Sequence, residues 1–283
     1  MKLTRRTFLG TCAVLAMTPP QPAFAAKPLR VGMTPAFLHT QHGLLAEWRD
    51  YMESRLKRPV EIVQRDSYRE TMDLLRQEQL DVSWICTYPY VYLKKQLRLV
   101  AVPLYQSQPY YRAYLIVSAK NPQIKEMSQL RGKVFAYADP YSCTGHLFPR
   151  YQLRKMGEDP AKFFAKTFFT YSHNKLIEAV ADGLAHGGSV DSYVWDSLQA
   201  LKPEITRRTL LVSQSPEFGF PPIVARRTLS EAEFSAVQKM LVMMRNDPQG
   251  SALLQRLNLN GFIQGRPNLY DGVAEMMRAF GEG

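Results

Sequence analysis

Between Pro28 and Ile85 two hydrophobic periods take turns, and that alternation restricts the fold more than any other property of the chain. Leu29 to Met33 reads as a strand, and Leu44 to Leu56 repeats apolar residues at helical spacing. Val60 to Val63 alternates as a second strand, Tyr68 to Arg76 as a second helix, and Leu80 to Ile85 as a third strand. Strand and helix periods in alternation predict a parallel sheet with helices on its faces. Ligands of such sheets bind beyond the carboxyl ends of the strands. Here those ends are Thr34-Pro35, Asp66 to Tyr68, and Cys86 to Tyr90.

Leu99 to Pro103 and Tyr111 to Val117 add two strands, and a second α/β set begins near Ile124. It runs through Val134 to Tyr137, a helix after Thr144, Thr167 to Tyr171, a helix from Lys175 to Ala181, and Gly188 to Ser192. Leu210 to Val212 and Ile223 to Ala225 read as the return. Ser230 with Glu233 is a capping box opening a helix to Met244, and Tyr270 to Phe280 is a final helix. The simplest architecture is α/β with two lobes, each a mixed sheet flanked by helices, joined by a hinge of two crossings. The first lobe is expected to comprise 26–111 and 217–283, the second 112–216.

Within the second set, Asp139-Pro140-Tyr141-Ser142-Cys143-Thr144-Gly145 joins a strand to a helix start at Tyr151. Ser142 and Thr144 are good N-cap residues, and Gly145 lets the backbone approach whatever sits there. A helix N-terminus carries unpaired N–H groups and about half a positive charge, which suits an anion.

Lys2, Arg5 and Arg6 form a basic start, Phe8 to Met17 a short apolar core, and Ala23-Phe24-Ala25 a small-x-small cleavage site. The apolar core is too short for a permanent membrane span. Thr4-Arg5-Arg6-Thr7-Phe8-Leu9 resembles the twin-arginine export signal. Residues 1–25 are therefore expected to be a cleavable signal peptide that directs the chain to the periplasm. Cys12 lacks a lipobox ahead of it. Removal of Lys2, Arg5 and Arg6, and of no acidic residue, lowers the net charge from +11 to +8, which favours an anionic ligand or surface. No polybasic run interleaved with aromatics and no zinc-knuckle or helix-turn-helix spacing is present, so nucleic acid is not an expected partner. Cys86 and Cys143 remain in the exported chain, and their pairing cannot be read from sequence.

In order along the chain come Asp81-Val82-Ser83-Trp84-Ile85 with Tyr88-Pro89-Tyr90-Val91, Leu130-Arg131-Gly132-Lys133, Asp139-Pro140 with Ser142 and Gly145, Ser172-His173, Val190-Asp191-Ser192, and Phe218-Gly219-Phe220-Pro221-Pro222. This ordered set resembles the phosphate/phosphite/phosphonate periplasmic binding proteins of ABC transporters, over roughly the whole exported chain. The resemblance implies the type II periplasmic binding protein fold, whose cleft closes by hinge bending. It implies an oxyanion seat at Ser142, Cys143, Thr144 and Gly145, aromatic residues of the first lobe at Tyr68 and Tyr111, and a histidine at His173. Asp191 is the remaining carboxylate, either at the ligand or in the hinge. An ABC permease is the implied partner, with no cofactor and a monomeric chain.

Two departures bear on the ligand. Phe220-Pro221-Pro222 stands where members that grip an aminoalkyl phosphonate carry acidic residues, so a small oxyanion is favoured over an amine-bearing ligand. Cys143 stands where the family often has a hydroxyl or a small residue. A helix N-terminus is expected to lower its pKa and make it a soft ligand, and with Cys86 at a neighbouring strand end two thiols can meet in the cleft. Arsenite-binding sensors of this superfamily rely on a cysteine, so a thiol-dependent sensor acting through a membrane histidine kinase is the alternative reading. A second alternative is a hydrolase built on Ser142 or Cys143 with His173 and Asp191, although no Gly-x-Ser-x-Gly elbow is present. His39 and His42 lack a third ligand in view. Met243-Met244 and Met276-Met277 read as core fillers, and Arg207-Arg208 and Arg226-Arg227 as solvated pairs.

Overall fold

The structure, a computed structural model, describes residues 27–35 and 42–282. The expected signal peptide and His39 lie outside the described residues. The first part of the chain runs β1 (Leu29–Met33), α1 (His42–Leu56), β2 (Val60–Gln64), α2 (Tyr68–Arg76), β3 (Val82–Trp84), α3 (Thr87–Leu93) and β4 (Leu97–Leu104). Helix α2 starts where a capping box forces it to. Ser67 accepts from the Glu70 amide, and the Glu70 carboxylate returns to the Ser67 amide.

The middle of the chain runs β5 (Tyr110–Tyr111), β6 (Ala113–Ser118), β7 (Val134–Tyr137), α4 (Phe148–Lys155), β8 (Lys166–Phe169), α5 (His173–Asp182), β9 (Gly187–Asp191), α6 (Ser192–Leu201), α7 (Pro203–Thr206) and β10 (Thr209–Gln214). A π-helical turn, Cys143–Leu147, leads directly into α4. Ser172 caps the start of α5, and Gly183 ends it at φ 84°, a left-handed conformation that glycine adopts without a Cβ clash. The chain closes with β11 (Phe218–Gly219), β12 (Ile223–Arg226), α8 (Glu231–Met243), α9 (Pro248–Arg256), β13 (Gly261–Ile263) and α10 (Asp271–Arg278).

Two principal sheets follow one plan. The six-stranded sheet has the order β13-β4-β12-β3-β1-β2, with β1 parallel to both β2 and β3 and the remaining pairs antiparallel. The five-stranded sheet has the order β10-β6-β9-β7-β8, with β7 parallel to β8 and β9. Each parallel set leaves its loops at the carboxyl ends of its strands, and the two sets of loops face one another across the cleft.

The stretch expected as one strand from Tyr111 to Val117 is two. Tyr111 pairs with Phe218 in a two-stranded ribbon of β5 and β11, whereas Ala113 pairs with Asp191 in the five-stranded sheet. Arg112 falls between, and its side chain holds Ser215 O at 2.7 Å and Glu217 at 2.9 Å. The chain thus changes sheets at a single residue, a junction that unbroken β-patterning conceals.

Two other expectations are corrected. Met243 is exposed at 48%, while Met244, Met276 and Met277 are buried as expected, because Met243 sits on the outer face of α8. Arg226 is no solvated cation: its Nε lies 2.9 Å from the buried Asp81, whose other oxygen accepts from the Arg30 amide. One large core fills the six-stranded lobe and extends into the other. A smaller one, with Phe135 stacked on Phe164 at 4.3 Å, lies on the far side of the five-stranded sheet.

Candidate functional site

The site forms where the carboxyl ends of both parallel sets meet. From the first lobe come Tyr68 at the start of α2, Cys86 and Thr87 at the start of α3, and Tyr111 on the ribbon. From the second come Ser142, Cys143, Thr144 and Gly145 after β7, His173 after β8, and Asp191 at the end of β9. Tyr68, Cys86, Tyr111, Ser142, Cys143, Thr144, His173 and Asp191 are all buried, so the two lobes are closed on one another.

Contacts cross the cleft at several points. Asp139 Oδ2 accepts from the Tyr68 amide at 3.1 Å while its Oδ1 accepts from the Tyr141 amide at 2.8 Å. A carboxylate of the second lobe therefore satisfies the first amide of a first-lobe helix, where the helix dipole favours it. Thr87 Oγ1 lies 2.9 Å from Tyr111 Oη, and the Cys143 thiol lies beside both residues. Further out, Tyr88 packs edge-on to Tyr141 at 5.7 Å. Glu282 joins Tyr88 Oη at 3.1 Å to Arg150 of α4 at 3.0 Å, and the Arg150 guanidinium lies over the Phe280 ring.

Ser142 caps the π-helical turn. Its Oγ accepts from the Gly145 amide at 3.0 Å and lies 3.3 Å from His173 Nε2. His173 Nδ1 lies 3.2 Å from the Asp191 amide, which can only donate, so Nδ1 is the acceptor nitrogen. Burial pushes the imidazole pKa down to about 3, so the ring is neutral and its proton is on Nε2. Nε2–H then donates to Ser142 Oγ. With two donors already on that oxygen, the Ser142 proton is directed away from both of them, toward the side of Tyr68.

This arrangement is not a nucleophile and base. His173 offers Ser142 a proton instead of a lone pair, and its other nitrogen faces the backbone of Asp191, not the carboxylate. The Asp191 carboxyl caps α6, with Oδ1 accepting from the Tyr193 and Val194 amides at 2.8 and 3.3 Å. Burial raises its pKa to about 7 despite those bonds.

The expected lowering of the Cys143 pKa at a helix start is corrected. Burial dominates and pushes the thiol up, and Cys86 is raised for the same reason. Both are free thiols. Among the described residues no group of three His, Cys, Asp or Glu side chains is placed to hold a metal.

Thr144 Oγ1 is buried without a hydrogen-bond partner, while its carbonyl accepts from Ser189 Oγ at 2.6 Å. An unpaired buried hydroxyl is costly unless a ligand completes it. Gly145 is required by space: a Cβ there would collide with Ala138 and come within 2.9 Å of Ser142 Oγ and 3.1 Å of His173 Cε1.

Sequence reasoning missed Thr87 and Asp139 as members of this cluster. Both carried a signal, since Thr87 follows Cys86 at the end of the third strand and Asp139 opens the turn after the fourth residue of β7. Beside the cluster, a cavity of about 1000 Å³ opens between the starts of α2 and α5, lined by Ser67, Glu70, Tyr171, Ser172 and Lys175 among others.

Several known proteins share this build. The fold matches a binding protein component of an ABC phosphonate transporter from Pseudomonas aeruginosa with a TM-score of 0.81 at 18% identity, covering 88% of this chain and 85% of that one. It matches PhnD1 from Prochlorococcus marinus (MIT 9301), solved in complex with methylphosphonate, with a TM-score of 0.82 at 20% identity, covering 91% and 99%. The phosphonates-binding periplasmic protein of Escherichia coli (strain K12) is 28% identical over 153 residues. That alignment takes in 53% of this chain and 45% of the relative, so the chain matches under half the length of that curated protein. A family model described as the periplasmic substrate-binding protein of phosphonate ABC transporters matches residues 31–270, nearly the whole described chain, and the protein belongs to that family.

Proposed function

We propose that the chain captures a small oxyanion, phosphate, phosphite or a phosphonate, between its lobes and delivers it to an ABC permease. The observation that carries this reading is the helix start at Ser142 to Gly145, with its unpartnered Thr144 hydroxyl, buried against Tyr68, Thr87 and Tyr111 of the other lobe. Hydroxyls and helix-terminal amides donate to an oxyanion without a bulky counter-charge, and several such bonds replace its lost water. Ser142 is the donor whose proton His173 directs, and Asp139 holds the lobes together around the ligand. The methylphosphonate complex of the Prochlorococcus marinus protein supports a ligand of this class.

The family is periplasmic. Residues 1–25 act as the cleavable export signal, and the exported chain works as a monomer with lobes 26–111 plus 217–283 and 112–216. The thiol-dependent sensor is the weaker reading, because soft-ligand capture needs thiolates and burial holds both thiols protonated.

Calorimetric titration with phosphate, phosphite, methylphosphonate and sulfate tests the proposal. Heat of binding is expected with at least one of the first three. Ser142→Ala should weaken it by about 10-fold or more, since a hydrogen bond to a charged group contributes roughly 1.5–3 kcal/mol. No heat with any of the four anions overturns the reading.

A further inference from the structure

Cys86 reaches the cleft from the end of β3 and Cys143 from the turn after β7, so the two thiols come from opposite lobes. They share neighbours. Cys86 Sγ lies 3.9 Å from Thr87 Oγ1 and 4.0 Å from Tyr111 Oη, and the Cys143 thiol lies beside the same two side chains. Those two oxygens are themselves 2.9 Å apart, and the Cys86 sulfur also rests against the Cys143 amide. Both thiols are free, and their residues are exposed by only 4% and 0%. A dissolved oxidant therefore reaches them only in an open molecule, whereas they meet each other only in a closed one.

We propose that Cys86 and Cys143 form a disulfide across the cleft, which locks the protein shut with no ligand inside. In the open molecule one cysteine, as its thiolate, attacks a sulfur of a disulfide-bearing oxidant. The S–S bond of the oxidant breaks, one half leaves as a thiol, and the other half remains in a mixed disulfide. As the lobes come together the second cysteine gives up its proton and attacks the cysteine sulfur of that mixed disulfide. The second half then leaves as a thiol. Two cysteine thiols are oxidised and one oxidant disulfide is reduced to two thiols, which take up the two protons. The oxidant is any low-molecular-weight or protein disulfide of an oxidising compartment.

The test uses reduced, purified protein and oxidised glutathione, with no anion added, followed by alkylation and peptide mass spectrometry. The expected product is a Cys86–Cys143 peptide pair, with loss of both thiols when they are titrated in denaturant. The chain stays monomer-sized on a non-reducing gel. Cys86→Ser and Cys143→Ser each abolish the linked pair and leave only a glutathione adduct on the remaining cysteine. Wild-type protein in which both cysteines stay reduced, or end only as glutathione adducts, overturns the proposal. Small-angle scattering checks the lock: the linked chain is expected to have the radius of this closed structure, and a larger radius overturns it. Because no anion enters these measurements, they are decided whether or not the oxyanion reading holds.

Discussion

Gly145→Ala is the most demanding perturbation of the oxyanion seat, because the added methyl has nowhere to go. It would collide with the Ala138 Cβ at the end of β7, and it would lie 2.9 Å from Ser142 Oγ and 3.1 Å from His173 Cε1. Ordinary contacts between such atoms are about 3.5–4.0 Å. Ala138 and Gly145 are tied by the Ala138 N–H to Gly145 carbonyl bond, so the two backbones cannot simply separate. Overpacking of a buried site costs about 1–3 kcal/mol, and three simultaneous collisions place this substitution toward the upper end. Relief requires Ser142 or His173 to move, which breaks the two hydrogen bonds that direct the Ser142 proton. A loss of about 2–3 kcal/mol in stability is therefore expected from urea unfolding, together with a fall in anion affinity of roughly 10-fold or more by calorimetry. Gly43→Ala is the control. That glycine lies in α1 with nothing within 4 Å of an added Cβ, so alanine should stabilise the helix by up to about 1 kcal/mol. If Gly145→Ala unfolds at the same urea concentration as the wild type and binds the anion unchanged, the packing argument for the seat is wrong.

Nitrogen-detected NMR should find His173 neutral with its proton on Nε2 at pH 5. His146, whose Nδ1 lies 2.8 Å from the Pro140 carbonyl and whose pKa burial lowers to about 4, should be neutral with its proton on Nδ1. Titration of either ring near its ordinary 6.5 would refute the assignment. Both depressed values favour the fold above pH 6.5 and withdraw that support as the pH falls. Asp191 acts in the opposite sense. Its carboxyl is raised from 3.8 to about 7, so its contribution is fully present below pH 4 and is lost as the pH rises through 7. About three pH units at ~1.36 kcal/mol apiece give an upper figure of about 4 kcal/mol. Asp191→Asn keeps a cap on α6 and should flatten the stability profile between pH 4 and 7, and an unchanged slope by urea unfolding would exclude the group. Asp139→Ala leaves the Tyr68 amide without its cross-cleft acceptor and should destabilise closure by about 1–3 kcal/mol. Ligand-free scattering should then show a larger radius, and an identical profile would count against the latch.

The sequence disclosed much of this design because its signals were local. The expected bounds of α2 match to the residue, and Ser230, whose side chain accepts from the Glu233 amide, marks the start of α8 without the reciprocal half of the expected capping box. Apart from the stretch Tyr111 to Val117, which is two strands, each expected strand from Leu29 to Ala225 is present with ends shifted by a few residues. Helix α3 was not foreseen, since Thr87-Tyr88-Pro89-Tyr90-Val91 is aromatic and β-branched, with a proline in its first turn, and it continues from a strand without any polar break. The division at Arg112 was invisible because both halves alternate in the same phase. For the site, residue types indicated which groups gather, but not what they do to one another. The helix start argued for an acidic Cys143, and only the packing reveals that burial prevails. The acceptor role of His173 Nδ1 likewise depends on the Asp191 amide, a partner that no spacing in the sequence announces.

The six-stranded sheet takes its middle strand, β12, from Ile223 to Arg226, after the whole five-stranded sheet has been made. During synthesis the later-numbered lobe is therefore contiguous and can finish first, while the earlier one waits with a gap between β3 and β4. Until that strand is delivered, the Trp84 and Val82 backbone has no neighbour on one side, and neither does that of Leu97 to Leu99. A chain stopped shortly before residue 223 would hold one completed half and one open-edged half prone to pair with a stranger.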